Sequence, residues 1–240
     1  MGGRGFTSSR PEKFSSRQKD KERREKGTAR RKATAGGSGE SFTKVKQQTP
    51  KLNDADAKFI TETSDWHGKT LSTDQRNALK VYSDKDYRAI NENLSKGKIS
   101  GYYKAQADRI ESAIRLAPAL KEGVVMYRGA TTSQFGKLGK ALLTKGAELD
   151  LPAFTSMSLS RTVAKDFVGD NGAFLIKVQI PKGTRIGYLG NGGRSANPSE
   201  YEGILNKGSS VKVVNVRRNR KIKTSLGEEY KVNMVTIRVI

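Results

Sequence analysis

Apolar residues recur at helical spacing from about Leu52 to Pro118 and at strand-like spacing after Gly123. In the first stretch, Ala55, Phe59 and Ile60 predict one amphipathic helix, and Thr73-Asp74-Gln75 opens a second in which Ala78, Leu79 and Tyr82 share a face. A third helix is predicted through Tyr87, Ile90, Asn91 and Leu94, ended by Gly97. A fourth, with Ala105, Ile110, Ala113, Ile114 and Leu116 on its apolar side, stops near Pro118. Together they form a small helical layer at the front of the domain.

Beyond Gly123 the texture changes. Val124-Val125-Met126-Tyr127-Arg128 is a short run rich in strand formers, and residues 174–180 join a continuous apolar start to alternation before the turn Pro181-Lys182-Gly183. Residues 211–216 and 232–239 predict the two arms of a terminal hairpin around Leu226-Gly227. Between the first two strands, residues 160–167 predict a short helix with Val163 and Phe167 four apart. Helices first and strands afterwards argue for an α+β fold over a doubly wound parallel sheet.

Residues 1–50 carry no such period. They hold 14 Lys+Arg and 5 Asp+Glu, a charge of +9, and little apolar beyond Phe6, Phe14, Phe42 and Val45. Such a segment cannot bury enough surface to offset its ordering entropy, so a disordered basic arm is expected over 1–50 and a folded domain over 51–240. Within the arm, residues 17–32 predict a transient basic helix helped by the Glu22–Lys26 spacing, and Gly36-Gly37-Ser38-Gly39 a flexible joint. Phe6 stands where a myristoylation signal wants Ser or Thr, and no apolar run has the length of a signal peptide or a membrane helix. The expectation is a soluble chain without an export signal.

Composition narrows the chemistry. The 240 residues contain 46 Lys+Arg against 24 Asp+Glu, for +22, with no Cys and one His. Cys-based and paired-His zinc sites, disulfide frameworks and thiol nucleophiles are thereby excluded, whereas carboxylate-bound Mg²⁺ or Ca²⁺ is not. A Ser-His-Asp hydrolase would need His67, in Ser64-Asp65-Trp66-His67-Gly68, and no GxSxG elbow accompanies it. A histidine beside a packed tryptophan is the simpler reading. Charge alone points to nucleic acid, through the arm and the cluster Arg217-Arg218-Asn219-Arg220-Lys221-Ile222-Lys223, although no basic-aromatic module accompanies it.

Three short segments place polar groups at the ends of predicted strands. In Tyr127-Arg128-Gly129, the guanidinium would emerge where a buried strand ends, suited to fork onto a phosphate or carboxylate, or else to cap a sheet edge in a salt bridge. In Phe154-Thr155-Ser156-Met157-Ser158, alternation puts Ser156 and Ser158 on one face and Met157 on the other, either to orient a bound group or to fill a tight sheet. In Ser199-Glu200-Tyr201-Glu202-Gly203-Ile204-Leu205, Glu200 and Glu202 would share a face if the segment is extended, and a cationic surrounding would offset their repulsion. The preceding Gly-rich stretch, residues 190–198, has neither Walker nor GxGxxG spacing.

In this order and at these separations, the segments resemble the Arg-Ser-Glu class of mono-ADP-ribosyltransferases, the exoenzyme toxin-like group. The stretch from Leu71 to Leu94 with Tyr82 and Tyr87 is similar to that family's front helices, Ser158 to Phe167 to its post-serine helix, and Glu202 to Gly208 to its last core strand and turn. The resemblance covers about residues 52–240 and implies a helical layer followed by a mixed two-sheet β core. The family's usual Ser-Thr-Ser reads Ser156-Met157-Ser158 here, and Ser95 stands where many members have an Arg, so that Arg161 and Lys165 become candidates for a second cationic contact.

The resemblance further implies that NAD is the substrate, that no metal is needed, and that nicotinamide leaves as ADP-ribose passes to a target. Glu202 matches the catalytic glutamate, Ser156 the residue that orients it, Ser158 a brace for the strand, and Arg128 the group gripping the dinucleotide phosphates with Tyr127 packed behind it. Glu-x-Glu members generally modify arginine, with the first carboxylate, here Glu200, holding the guanidinium, and residues 189–199 would recognise the target protein. Two other functions remain open: a nucleic-acid-binding or virion-associated protein on an inactive transferase scaffold, and an NAD glycohydrolase. The basic arm without an export signal resembles small bacteriophage-encoded proteins, implying action in a host cytoplasm, and it is a candidate for non-specific contact with nucleic acid; no membrane partner is expected.

Overall fold

A computed structural model describes residues 54–240 except 65, 136, 137 and 190–197. The arm over 1–50 with its helix and glycine joint, the glycine-rich loop and the side chain of His67 lie outside the described residues.

The helical layer follows the apolar spacing. Helix α1 (Asp54–Ser64) and the short α2 (Trp66–Lys69) precede α3 (Thr73–Val81), whose start is fixed by a reciprocal cap: Ser72 Oγ accepts from the Gln75 backbone N–H, and the Gln75 side chain accepts from the Ser72 N–H. A π-helical turn (Tyr82–Asp86) carries α3 without a break into α4 (Tyr87–Ser95), and Gly97 at φ 62° ends the run in the left-handed region. Helix α5 (Gly101–Arg115) packs across α3. Ala107, Ile110, Ala113 and Ile114 form its buried face, while Ala105 is exposed and Leu116 is 46% exposed. The predicted face is therefore corrected at both ends: Leu116 lies one residue past the helix, and Ala107, not Ala105, falls in line with Ile110 and Ile114.

The β region consists of β1 (Val124–Ala130), helices α6 (Thr132–Phe135) and α7 (Leu138–Leu142), β2 (Glu148–Leu151), β3 (Thr155–Ser158), α8 (Arg161–Asp166), β4 (Phe174–Ile180), β5 (Gly187–Tyr188), β6 (Glu202–Leu205), β7 (Ser209–Lys223) and β8 (Glu229–Val239). The strands run in the order β2-β7-β8-β4-β1-β3-β6-β5 within one hydrogen-bonded sheet, antiparallel except for β4 beside β8. The α+β class holds, and the terminal hairpin is longer than its apolar core suggested. Where two sheets were expected, hydrogen bonding is continuous. The reason lies at one seam: β1 pairs along its length with β4 but meets β3 only at Tyr127 opposite Ser158.

Each lobe has its own core. Phe154, Leu189 and Ile204, from or beside β3, β5 and β6, are buried with Trp66, Leu79, Tyr82 and Ile110 of the helical layer. Met126, Met157, Ile176, Val178, Val213 and Val235 belong to the main core of the sheet. A third cluster lies under α8, where Ala164, Val168, Leu175 and Val232 meet. The short helix predicted over 160–167 is present as α8, with Ala164 buried and Phe167 52% exposed. Gly129 explains it: a Cβ there would lie 1.9 Å from the Ala164 carbonyl oxygen, so α8 approaches β1 too closely for a large side chain between them.

Candidate functional site

Strands β3 and β6 run antiparallel with Ser158 opposite Glu202 and Ser156 opposite Ile204. Glu202 is 8% exposed, which demands donors for its carboxylate. One comes from the π-helical turn, where Ser83 Oγ donates to Glu202 Oε2 at 2.7 Å. The adjoining Tyr82 hydroxyl lies 3.4 Å from Ser156 Oγ and accepts from Asn91 Nδ2 at 2.9 Å. Burial pushes the Tyr82 phenol up to about 12, against the pull of hydrogen bonds from Ser156 and Asn91.

Arg128 does not stand at a strand end. Strand β1 continues to Ala130 between β4 and β3, so the sheet-edge position is corrected to a central one. Its Nη1 donates to the Ser156 carbonyl at 2.8 Å, and the guanidinium carbon lies 5.9 Å from the Phe135 ring centroid. Burial lowers its pKa, while Tyr82, Glu202 and Tyr87 oppose that shift electrostatically. An arginine stays cationic under these conditions. The serine strand, the buried carboxylate and the arginine thus fall within electrostatic reach of one another. Among the described residues, Arg128 Nε and Asn91 Oδ1 are buried without a hydrogen-bond partner, two polar groups that a ligand can satisfy.

The other predicted residues have different settings. Ser158 Oγ donates to the Glu200 carbonyl at 2.6 Å and accepts from the Ser160 N–H at 2.9 Å, tying β3 to the segment before β6. Glu200 ends a 3₁₀ turn (Pro198–Glu200), and Tyr201 follows at φ 49°. The segment is not extended before Glu202, so the alternation that would put both carboxylates on one face does not apply. Tyr127 packs in the cluster beneath α8, a supporting place behind the strand. Ser95 is exposed at the end of α4, and Arg161 and Lys165 lie on α8. Among the described residues no group of three or more His, Asp or Glu side chains is arranged to hold a metal.

Sequence reasoning missed Ser83 and Asn91 as site residues. Asn91 sits at helical spacing from Tyr87, a signal for a shared face; Ser83 lies 119 positions from Glu202 and offers no local pattern at all.

Comparison with known proteins agrees with this geometry. A family model described as ADP-ribosyltransferase exoenzyme matches residues 57–236. The chain is 26% identical over 144 residues to "NAD(+)--arginine ADP-ribosyltransferase EFV" of Enterococcus faecalis, an alignment covering 57% of this chain and 28% of that protein. This chain therefore matches little more than a quarter of its curated relative's length. Among solved structures, Plx2a, an ADP-ribosyltransferase toxin from Paenibacillus larvae, superposes with a TM-score of 0.61 at 22% identity, covering 78% of this chain and 94% of the toxin. C3stau2 from S. aureus, solved with NAD, gives a TM-score of 0.59 at 16% identity over 77% and 93% of the two chains. The fold, the order of the arginine, serine and glutamate strands and the family match together place this chain in the ADP-ribosyltransferase exoenzyme family.

Proposed function

We propose that the protein is an NAD-dependent mono-ADP-ribosyltransferase that modifies arginine in a target protein, on the domain 51–240 with a basic arm over 1–50. The observation that carries the reading is Glu202, a buried carboxylate paired across β3 and β6 with Ser158 and held within the field of Arg128. In this reading the bond between nicotinamide and ribose breaks, nicotinamide departs with the bonding electrons, and positive charge develops on the ribose. Glu202 stabilises that charge and hydrogen-bonds the ribose 2′-hydroxyl, an electrostatic role that depends on a preset position. Arg128 grips the phosphates with donors that include its unpartnered Nε, and Asn91 Oδ1 accepts from the substrate. Ser156 fixes Arg128 through its carbonyl and orients the carboxylate side of the site, while Ser158 braces β3 and Tyr127 supports β1 from beneath.

Glu200 takes the acceptor. An arginine nucleophile must be positioned and relieved of a proton, which a carboxylate can do. The arginine named for the E. faecalis relative supports the same acceptor. The test is nicotinamide release from NAD with and without agmatine. Glu202→Ala should lower both release and transfer by on the order of 10²- to 10³-fold. Glu200→Gln should lose transfer to agmatine and retain hydrolysis, and Arg128→Ala should weaken NAD binding by calorimetry. Full transfer by Glu202→Ala would sink the assignment, and release indifferent to agmatine would make water the acceptor.

A second reading, contact with nucleic acid, is favoured by β7, which carries six Lys+Arg and no acidic residue. Lys221 faces Lys231 directly across the hairpin, an unfavourable pairing that an anionic phosphate backbone would relieve. The two readings are compatible, with the basic segments bringing the transferase to a target near nucleic acid, in a phage particle or in a host cytoplasm. Salt-dependent retention on single-stranded DNA, abolished by Lys221→Glu with Lys231→Glu, is the expected result, and salt-independent retention would remove it.

A further inference from the structure

One partner of Glu202 comes from outside its own strand pair. Its cross-strand neighbour, Ser158, has one hydroxyl proton, and that proton goes to the Glu200 carbonyl. The Ser156 hydroxyl lies against the Tyr82 phenol, itself engaged by Asn91. A hydroxyl that does reach the carboxylate comes from a different layer, on Ser83.

The backbone explains how two consecutive residues both serve the site. Tyr82 is buried with its hydroxyl toward Ser156, and in an ordinary α-helix the next residue would turn well away from that contact. Residues Tyr82–Asp86 form a π-helical turn instead, and the wider turn swings successive side chains through a smaller angle. Ser83, the second residue of this turn, meets Glu202 Oε2. Such turns inside α-helices occur frequently at functional sites.

We infer that Ser83 is a positioning residue for Glu202: the π-helical turn presents its hydroxyl to one carboxylate oxygen and so helps fix the orientation of the carboxylate toward the substrate. This rests on the reading of Glu202 as the residue that stabilises charge at the ribose. It deepens that reading by placing the control of the carboxylate in the helical layer, outside the arginine, serine and glutamate strands. Removing the Ser83 hydroxyl loosens that hold on the carboxylate, so the loss falls on the chemical step and not on NAD binding.

The test uses the full chain with NAD as the probe, measuring nicotinamide release by Ser83→Ala, Ser83→Thr and Glu202→Ala beside their melting temperatures. Ser83→Ala should lower kcat on the order of 10- to 100-fold with KM for NAD unchanged. Ser83→Thr, which keeps the hydroxyl, should recover most of that loss. A wild-type kcat in Ser83→Ala, or an equal loss in both Ser83 variants, would overturn the inference, because either outcome assigns the position to packing. A rise in KM alone would also overturn it, by making Ser83 a binding residue. Glu202→Ala separates the two levels: if it still releases nicotinamide, the reading of the site fails, whereas an inactive Glu202→Ala beside a normal Ser83→Ala removes only the role given to Ser83.

Discussion

Strands β7 and β8 pair over ten register positions and β4 and β8 over six, whereas β3 and β6 pair over four and β5 and β6 over two. The groups with the most demanding geometry, Ser156, Ser158 and Glu202, all lie on the weakly laddered side of the Tyr127–Ser158 seam. That side holds its shape through side chains: Phe154, Leu189 and Ile204 sink into the helical layer, and Tyr82 and Ser83 reach down to β3 and β6. The β2-β7-β8-β4-β1 side is a scaffold of long backbone ladders laid over the main core of the sheet. Positions on the site side can therefore be adjusted from the helices, while those on the scaffold side, Arg128 of β1 excepted, answer mainly to stability.

The contrast can be broken first at Gly129. Gly129→Ala forces a Cβ into the Ala164 carbonyl and should cost about 3 kcal/mol in urea unfolding, because backbone, unlike a side-chain tip, cannot step aside. On the site side, Tyr82→Phe probes the helical contact through pH. The folded-state pKa of Tyr82, about 12, lies above the unfolded value of 10.0, so the folded chain holds the proton longer and stability falls as pH rises from about 10 to about 12. Tyr82→Phe should remove about 2 to 3 kcal/mol of that alkaline decline, read as a shallower fall in unfolding free energy across the same interval. The sharpest comparison comes from two equal truncations. Ile176→Val on β4 and Ile204→Val on β6 should each cost about 1 kcal/mol. Only the second, two residues from Glu202, should lower nicotinamide release from fully folded protein, and equal activity in both would erase the distinction between the sides. Smallest of all, Lys231→Glu should turn the repulsion with Lys221 into attraction and raise stability by about 0.5 kcal/mol by thermal melting, with nicotinamide release unchanged.

Much of this was legible in local pattern. Strand β4 coincides with the residues its apolar start and alternation marked, α3 opens at Thr73-Asp74-Gln75 as those residues predicted, and Glu202 lies on a strand as the family resemblance implied. What escaped was decided by contacts remote in sequence or by backbone states that residue type does not announce. Nothing in Tyr82-Ser83-Asp84 distinguishes a π-helical turn from an α-helical one, so the meeting of Ser83 with Glu202 could not be read. The spacing of Val163 and Phe167 marked a short helix but not which of its sides is buried; the close approach of Gly129 to Ala164 settled that. Arg128 looked terminal because an arginine and a glycine end the apolar run, yet full-length pairing with β4 carries the strand past them.

The left-handed turn at Tyr201 separates neighbours that the chain places two apart. Glu202 belongs to the ladder with β3, whereas Glu200 closes a 3₁₀ turn and meets β3 through its carbonyl. Under the proposed division of roles, selection can rewrite the turn and change what accepts the sugar while the apparatus that breaks the glycosidic bond stays untouched. A single hinge of backbone handedness would thus let a lineage diversify its victims without reinventing its chemistry.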